Sequence, residues 1–173
     1  SNTAGVEIGG EAFAVDPVSD WRFDANGPSA RDKTSAGFRF DELRRVWFVL
    51  EPQPGSEAAA HTFLLFEFTD ERLLGLTVEA RREAKEEYNA VAGAFNAYEL
   101  SYVWATARDL MTGRAVSLKH ELYAYPIEIA PNQLQALLRT TLTRTKELSE
   151  RPRFYNTLFS NCTNELAKAA GLS

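Results

Sequence analysis

Three β-rich runs in quick succession constrain the fold of this chain most. The first, Arg45 to Glu51, ends at the strong turn signal Pro52-Gln53-Pro54-Gly55. A second run covers His61 to Phe68 and a third covers Leu73 to Glu79, with Thr69 to Arg72 as a tight connection between them. Consecutive strands with short connections usually pair side by side, so we predict an antiparallel meander.

The clearest helical pattern begins at Pro131. Four leucines that follow it fall at helical spacing, and Arg151-Pro152 ends the pattern. These leucines are Leu134, Leu137, Leu138 and Leu142. A second helix is predicted from about Asn161 to Ala170, and Gly171 supplies its C-terminal cap. Alternation from Ser117 to Ile129 predicts one more strand of the same sheet, and Arg108 to Arg114 predicts a short turn or helix.

The first forty residues show no sustained period of 2 or 3.6. They are rich in Gly, Asp, Ser, Ala and Pro, with apolar residues scattered singly. We therefore predict an irregular N-terminal arm over residues 1–40, followed by one globular domain over 41–173. The aromatic residues of the arm are expected to cover the core: Phe13, Trp21, Phe23, Phe38 and Phe40.

Length and composition favour one globular α+β domain, with an antiparallel sheet packed against helices. The chain has 173 residues, of which 45% are hydrophobic, enough for one substantial core. A net charge of −5 and the lack of a dense Lys/Arg cluster argue against nucleic-acid binding. No apolar run reaches the roughly 18 to 20 residues that span a bilayer. The start lacks the features of a secretion signal, and Ser1-Asn2 is compatible with earlier removal of one.

The single cysteine, Cys162, is the candidate nucleophile. It follows Ser160-Asn161, a polar pair typical of a helix start. Free backbone N–H groups and the positive end of the helix dipole favour a thiolate at such a position. The alternative is an inert thiol buried in the core, because free cysteine is among the most buried residue types.

A cysteine nucleophile needs a base, and the chain has two histidines. His61 begins a predicted strand at the rim of the sheet, where a side chain can meet a helix N-terminus. His120 lies inside a predicted strand and shares a face with Leu118 and Leu122, so burial is expected for it. His61 is therefore the predicted base.

Hairpin geometry suggests the partner that orients this base. A turn centred between Asp70 and Glu71 places His61 opposite Ala80, with a register error of one residue allowed. We expect Glu79 to accept a hydrogen bond from the imidazole as the third catalytic residue. The alternative is a solvated carboxylate at a strand end.

The oxyanion of the reaction needs hydrogen-bond donors near the cysteine. The backbone N–H of Cys162 is one candidate, and the side-chain amide of Asn156 or Asn161 is a second. Asn161 also suits a helix cap. We expect no cofactor and no metal, because the histidines and the cysteine lack zinc-site spacing and no glycine-rich phosphate loop is present.

Several segments together resemble the Lnb N-terminal periplasmic domain family. The resemblance spans roughly His61 to Leu172, and its specific part is Tyr-Asn-Thr-Leu-x-x-Asn-Cys-Thr from Tyr155 to Thr163. The supporting segments are His61-Thr62-Phe63-Leu64, Val78-Glu79-Ala80-Arg81-Arg82 and Tyr98-Glu99-Leu100-Ser101-Tyr102-Val103. The resemblance implies a location at the bacterial envelope near the membrane. It also implies N-acylation of lipoproteins, with a lipid as acyl donor.

A histidine at a strand start before a cysteine at a helix start also resembles circularly permuted papain-like enzymes of the lecithin:retinol acyltransferase class. This resemblance implies an α+β papain-like core with Cys162 as nucleophile and His61 as base. Asn156, six residues before the cysteine, takes the position of the oxyanion-binding amide, where glutamine is usual. Ala60 departs from the glycine expected before the histidine.

The sequence therefore predicts a cysteine acyltransferase or amidase that works through an acyl-enzyme on a lipid or acylated protein. Two alternatives stay open. One is a catalytically inactive envelope domain that binds a lipid or a protein, and the other is a cell-wall cysteine peptidase.

Overall fold

The structure of the protein is a computed structural model that describes residues 4–55, 59–81, 98–151 and 154–155. These residues form a mixed α+β fold. The strands are β1 (Gly5–Gly9), β2 (Ala12–Asp24), β3 (Gly27–Arg39), β4 (Leu43–Pro52), β5 (Ala60–Phe68), β6 (Leu73–Arg81), β7 (Tyr98–Thr106), β8 (Tyr123–Pro126) and β9 (Phe154–Tyr155). The α-helices are α1 (Ala107–Thr112) and α2 (Pro131–Glu150), and a π-helical turn (Gly113–Ser117) follows α1 directly.

The predicted meander is confirmed. Strands β4, β5 and β6 are antiparallel neighbours in chain order. Within the described residues the sheet runs β1-β2-β7-β6-β5-β4-β8, with β3 beside β2 and β9 beside β7. The pairing of β2 with β7 is parallel and rests on Ser19 opposite Ala105, whereas the other described pairings are antiparallel. The predicted antiparallel sheet packed against helices is thus confirmed.

Helix α2 covers one face of the sheet and forms the larger core layer. The four leucines predicted to face inward are all buried. They pack with the side chains of β5, β6 and β7 that alternate onto this face. The central members on the sheet are Leu64, Phe66, Leu76, Tyr102 and Trp104. The Trp104 indole N–H donates to Thr145 on α2 at 2.9 Å, which satisfies the buried donor.

Helix α1 covers the opposite face over a smaller core layer. This layer contains Val49, Phe63, Leu65, Ala105 and Leu110. The helix comes close because Gly75 has no side chain: a Cβ there would collide with the Leu110 side chain and lie 3.1 Å from the Ala105 carbonyl oxygen. The close approach of α1 places the π-helical turn above the ends of β4, β5 and β6.

Replacing Gly75 with Ala is expected to lower the free energy of unfolding by about 1–3 kcal/mol, because overpacking forces Leu110 or the backbone to shift. Urea unfolding followed by circular dichroism measures the change. The matched control is Gly9→Ala, since a Cβ at Gly9 meets nothing within 4 Å. Equal stability of the two variants would contradict this account of how α1 packs.

The predicted irregular N-terminal arm is wrong. Residues Gly5–Gly9 form β1, and β2 and β3 form a long antiparallel hairpin. Many side chains of this hairpin are exposed on both faces, so no alternating pattern marks it. The signal that could have found it is the Asn26-Gly27 dipeptide: Ala25 and Asn26 form a two-residue turn between the paired Asp24 and Gly27, and Gly27 takes φ +125°.

The predicted core-covering aromatics divide into two groups. Phe13, Phe38 and Phe40 are buried in the larger core layer, as expected. Trp21 and Phe23 are only half-buried and lie on the other side of the hairpin. They line a cleft instead of covering the core.

The strand predicted over Ser117 to Ile129 is too long. Residues up to Ser117 belong to the π-helical turn, and Lys119 takes a left-handed conformation at φ +56°, which interrupts an extended chain. The strand itself covers Tyr123–Pro126 and pairs with β4 at the edge of the sheet. The predicted helix from Asn161 to Ala170 lies outside the described residues.

Candidate functional site

His61 stands near the start of β5, at the end of the meander. It pairs with Glu51 on β4, and its side chain lies on the face that α1 covers. Extension of the observed pairing of Phe63 with Thr77 by two residues sets His61 opposite Glu79, one residue from the predicted register. Register and pleat therefore bring the predicted base and the predicted carboxylate to adjacent strands on one face.

A hydrogen-bond relay connects His61 to Glu79. The Thr77 hydroxyl donates to Glu79 Oε1 at 2.8 Å, and His61 Nε2 lies 2.7 Å from the same hydroxyl oxygen. The Thr77 hydroxyl donates its only proton to Glu79, so its oxygen accepts in the contact with His61. The His61 Nε2 therefore carries a proton and donates it. The direct distance from His61 Nε2 to Glu79 Oε1 is 3.5 Å. This tautomer leaves Nδ1 as the basic nitrogen of the ring.

Thr77, which lies between the two predicted residues, is a site residue that the sequence pattern does not single out. Its side chain is buried and shares a strand face with Glu79, two positions away. The sequence does carry a signal for Thr77. Residues two positions apart on a strand share a face, so a hydroxyl two residues before a predicted carboxylate can donate to it. Thr77 fixes both the carboxylate and the imidazole.

The environment of Glu79 favours its ionised form. Burial is the largest single influence and raises the pKa. The hydrogen bonds from His61 and Thr77, together with the positive charges of Arg114 and of His61 in its protonated form, outweigh it and hold the pKa of Glu79 below its usual value. The side chain keeps 42% of its surface exposed, so water moderates these interactions. Glu79 is thus suited to stabilise an imidazolium at His61.

Glu79 is expected to contribute to acid sensitivity. A lowered folded-state pKa adds stability above the usual value of 4.5, and that stability is lost as the pH falls through the lower folded-state pKa. The urea midpoint of the protein should therefore fall between about pH 5 and pH 3, and Glu79→Gln should make the fall smaller. Glu7→Gln, a change at an exposed position on β1, serves as control. Identical curves for Glu79→Gln and the unchanged protein would contradict the expectation.

A second polar group lies beside the relay and is centred on Glu51. This carboxylate is 3% exposed. Its Oε2 accepts from Arg114 Nε at 2.9 Å, and Arg114 Nη2 also lies 3.5 Å from Glu79 Oε1. The guanidinium is 4.9 Å from the centre of the Phe63 ring, within the range of a cation–π contact. Arg114 therefore links the two carboxylates from the π-helical turn above the sheet.

His120 completes this group. Its Nδ1 lies 2.5 Å from Glu51 Oε1, and its side chain is 15% exposed. The expectation that it stands in a strand is wrong, because it lies in the irregular segment after the π-helical turn. The side chain is largely buried, as predicted, but its partner is a carboxylate. Leu118, expected on the same buried face, is exposed instead.

An open cleft of about 730 Å³ is lined by side chains of both groups. Its polar wall includes His61, Glu79, Arg114, Glu51 and His120. Its apolar wall includes Trp21, Phe23 and Pro28 from the hairpin, together with Leu118. A cleft with one apolar and one polar wall suits a substrate that is itself amphipathic.

The remaining predicted site residues, Asn156, Asn161 and Cys162, lie outside the described residues. No three His, Cys, Asp or Glu side chains in the described part form a group that could hold a metal ion. No helix of that part combines the length and the apolar character required to cross a membrane.

Comparison with known proteins identifies the family. A family model described as the Lnb N-terminal periplasmic domain matches residues 30–172, most of the chain. The match begins inside β3, so it extends upstream of the segments that carry the resemblance in the sequence. Neither the curated proteins nor the solved structures contain a match. The chain belongs to the Lnb N-terminal periplasmic domain family, and its location is the periplasm.

Proposed function

We propose that the protein is a cysteine-dependent acyltransferase or amidase that acts through an acyl-enzyme, with N-acyl transfer to a lipoprotein or lipid as its reaction. The observation that carries the proposal is the relay from His61 through Thr77 to Glu79. A histidine with a fixed tautomer and a carboxylate behind it is the arrangement that activates a thiol or hydroxyl nucleophile. Cys162 is the thiol that we assign to it.

The tautomer determines the first chemical step. His61 Nδ1 takes the proton from the Cys162 thiol, and the thiolate attacks the acyl carbonyl. The imidazolium that forms carries N–H groups on both nitrogens, and the ionised Glu79 stabilises it through Thr77. His61 then gives its proton to the leaving group, which leaves a thioester on Cys162.

The topology supports the pairing of His61 with Cys162. Phe154 lies opposite Glu99, and Glu99 lies opposite Arg81, two residues beyond Glu79 on β6. The chain thus leaves β9 at the same end of the sheet as the relay. Three strand spacings separate β9 from β5, about 14 Å, whereas the seven residues from Tyr155 to Cys162 span up to about 23 Å. The chain length is sufficient to bring the thiol to His61.

The proposal includes a circularly permuted papain-like core. The histidine strand comes first in the chain and the cysteine follows, as in the permuted enzymes that the sequence resembles. In this assignment the backbone N–H of Cys162 and the side-chain amide of Asn156 or Asn161 hold the oxyanion. Thr77 has a positioning role, because it fixes the ring of His61 and touches no reacting atom.

The test is a substrate screen with three arms. In the first arm the protein is incubated with diacyl phospholipid vesicles and a diacylglyceryl-cysteine peptide, and in the second arm with peptidoglycan fragments. In the third arm the Cys162→Ala variant replaces the unchanged protein and receives each of these substrates. Mass spectrometry of the products should show an N-acylated peptide in the first arm alone. Cleaved peptidoglycan would make the protein a peptidase. Vesicle binding without any product, or product from a folded Cys162→Ala variant, would contradict cysteine catalysis.

A further inference from the structure

The cleft contains a second histidine that the reaction described so far does not use. His120 is anchored on Glu51, whereas His61 is anchored through Thr77 on Glu79. The two histidines therefore have separate carboxylates. Arg114 bridges those carboxylates, which makes one connected polar group.

The contact with Glu51 fixes the chemistry of the His120 ring. An ionised carboxylate only accepts hydrogen bonds, so the nitrogen facing it, Nδ1, carries the proton. In the neutral ring the other nitrogen, Nε2, is then the basic atom. Because His120 lines the cleft, a bound molecule can contact its ring.

The carboxylate that anchors His120 is itself held by neighbouring groups. Glu51 is almost completely buried, and each of its two oxygens has its own partner, Arg114 Nε for Oε2 and His120 Nδ1 for Oε1. Arg114 is held in addition by the carbonyl of Leu110 at 3.2 Å. A side chain that served only to fill space would not need a buried carboxylate aligned on one ring nitrogen.

We infer that His120 is a second acid–base residue, which acts on the nucleophile that receives the acyl group. The inference rests on the proposed function. As the acceptor amine attacks the thioester, a C–N bond forms, the C–S bond breaks and His120 Nε2 takes the proton that the nitrogen loses. The departing Cys162 thiolate recovers a proton from solvent through His61. His61 thus serves formation of the acyl-enzyme, and His120 serves its breakdown.

The experiment separates the two half-reactions. With p-nitrophenyl octanoate as donor and ethanolamine as acceptor, the burst of p-nitrophenol reports acylation and the later steady rate reports deacylation. His120→Asn keeps an N–H donor for Glu51 but removes the basic nitrogen. It should leave the burst rate within about 2-fold and slow the steady rate by about 100-fold, as expected for loss of a general base.

A rescue distinguishes acid–base chemistry from a structural role. After the enzyme-free reaction of imidazole with the ester is subtracted, imidazole added to His120→Ala should restore part of the steady rate, and it should not change the rate of the unchanged protein. Thermal unfolding of both variants confirms that they are folded. A steady rate unaffected in His120→Asn, or a loss in both variants that imidazole does not restore, would overturn the role of His120. The absence of any p-nitrophenol release above that of folded Cys162→Ala, in the burst or in the steady phase, would instead contradict the proposed function, and with it this inference.

Discussion

Replacing His61 with Ala is expected to slow alkylation of Cys162 by iodoacetamide about 30-fold at pH 7. A cysteine without a basic partner titrates near pH 8.5 and is only about 3% thiolate at pH 7. A cysteine paired with histidine is largely ionised, and the thiolate is the form that reacts. The rate is measured by mass spectrometry of the peptide that contains Cys162, the only cysteine in the chain.

Two comparisons make the His61 result interpretable. Glu7→Gln on the exposed face of β1 should react at the unchanged rate, and the urea-unfolded protein gives the rate of an ordinary thiol. His61→Ala should fall to that ordinary rate while remaining folded. If the unchanged protein already reacts as slowly as the unfolded chain, Cys162 is an inert thiol and His61 is not its base.

Replacing Glu51 with Gln is expected to cost about 3 kcal/mol of folding free energy, because the buried Arg114 guanidinium loses its nearer carboxylate, keeps only Glu79 at 3.5 Å, and His120 loses its partner as well. Guanidinium chloride unfolding measures the loss. The size of the effect comes from burial: Arg114 is only 16% exposed, so water cannot replace the missing carboxylate.

The matched control is Glu67→Gln. Glu67 also stands on a strand, accepts from a ring nitrogen, that of Trp47 at 3.1 Å, and lies 3.8 Å from an arginine, Arg45. Arg45 is 42% exposed, so this change should cost about 1 kcal/mol or less. Equal losses in the two variants would show that the Glu51 group is an ordinary surface pair.

The parts of the fold that the sequence predicts are those with strong local signals. The meander follows from three β-rich runs joined by short turns, and α2 follows from four leucines at helical spacing. The same local logic placed His61 within one residue of Glu79, because a tight turn fixes the register of both strands. Local pattern therefore predicts two of the three relay residues, His61 and Glu79, but neither Thr77 nor the group around Glu51.

The rest of the site depends on contacts between distant residues. Glu51 is separated from Arg114 by 63 positions and from His120 by 69. Glu51 meets these two residues because α1 packs closely over Gly75. This packing positions the π-helical turn above the sheet. The alternation around His120 predicts a strand, but Lys119 takes a left-handed conformation, which interrupts the extended chain just before His120. The N-terminal hairpin was missed because exposed strands lack the alternation that burial imposes.

The most direct test of the account is whether Cys162 becomes acylated. The protein is incubated with diacyl phospholipid vesicles without an acceptor, digested and examined by mass spectrometry before and after treatment with hydroxylamine, which cleaves thioesters. The account predicts a fatty-acyl group on Cys162 that hydroxylamine removes, and its loss in folded His61→Ala. An unmodified Cys162 in a preparation that still releases fatty acid, or acylation that is unchanged in His61→Ala, would contradict the account.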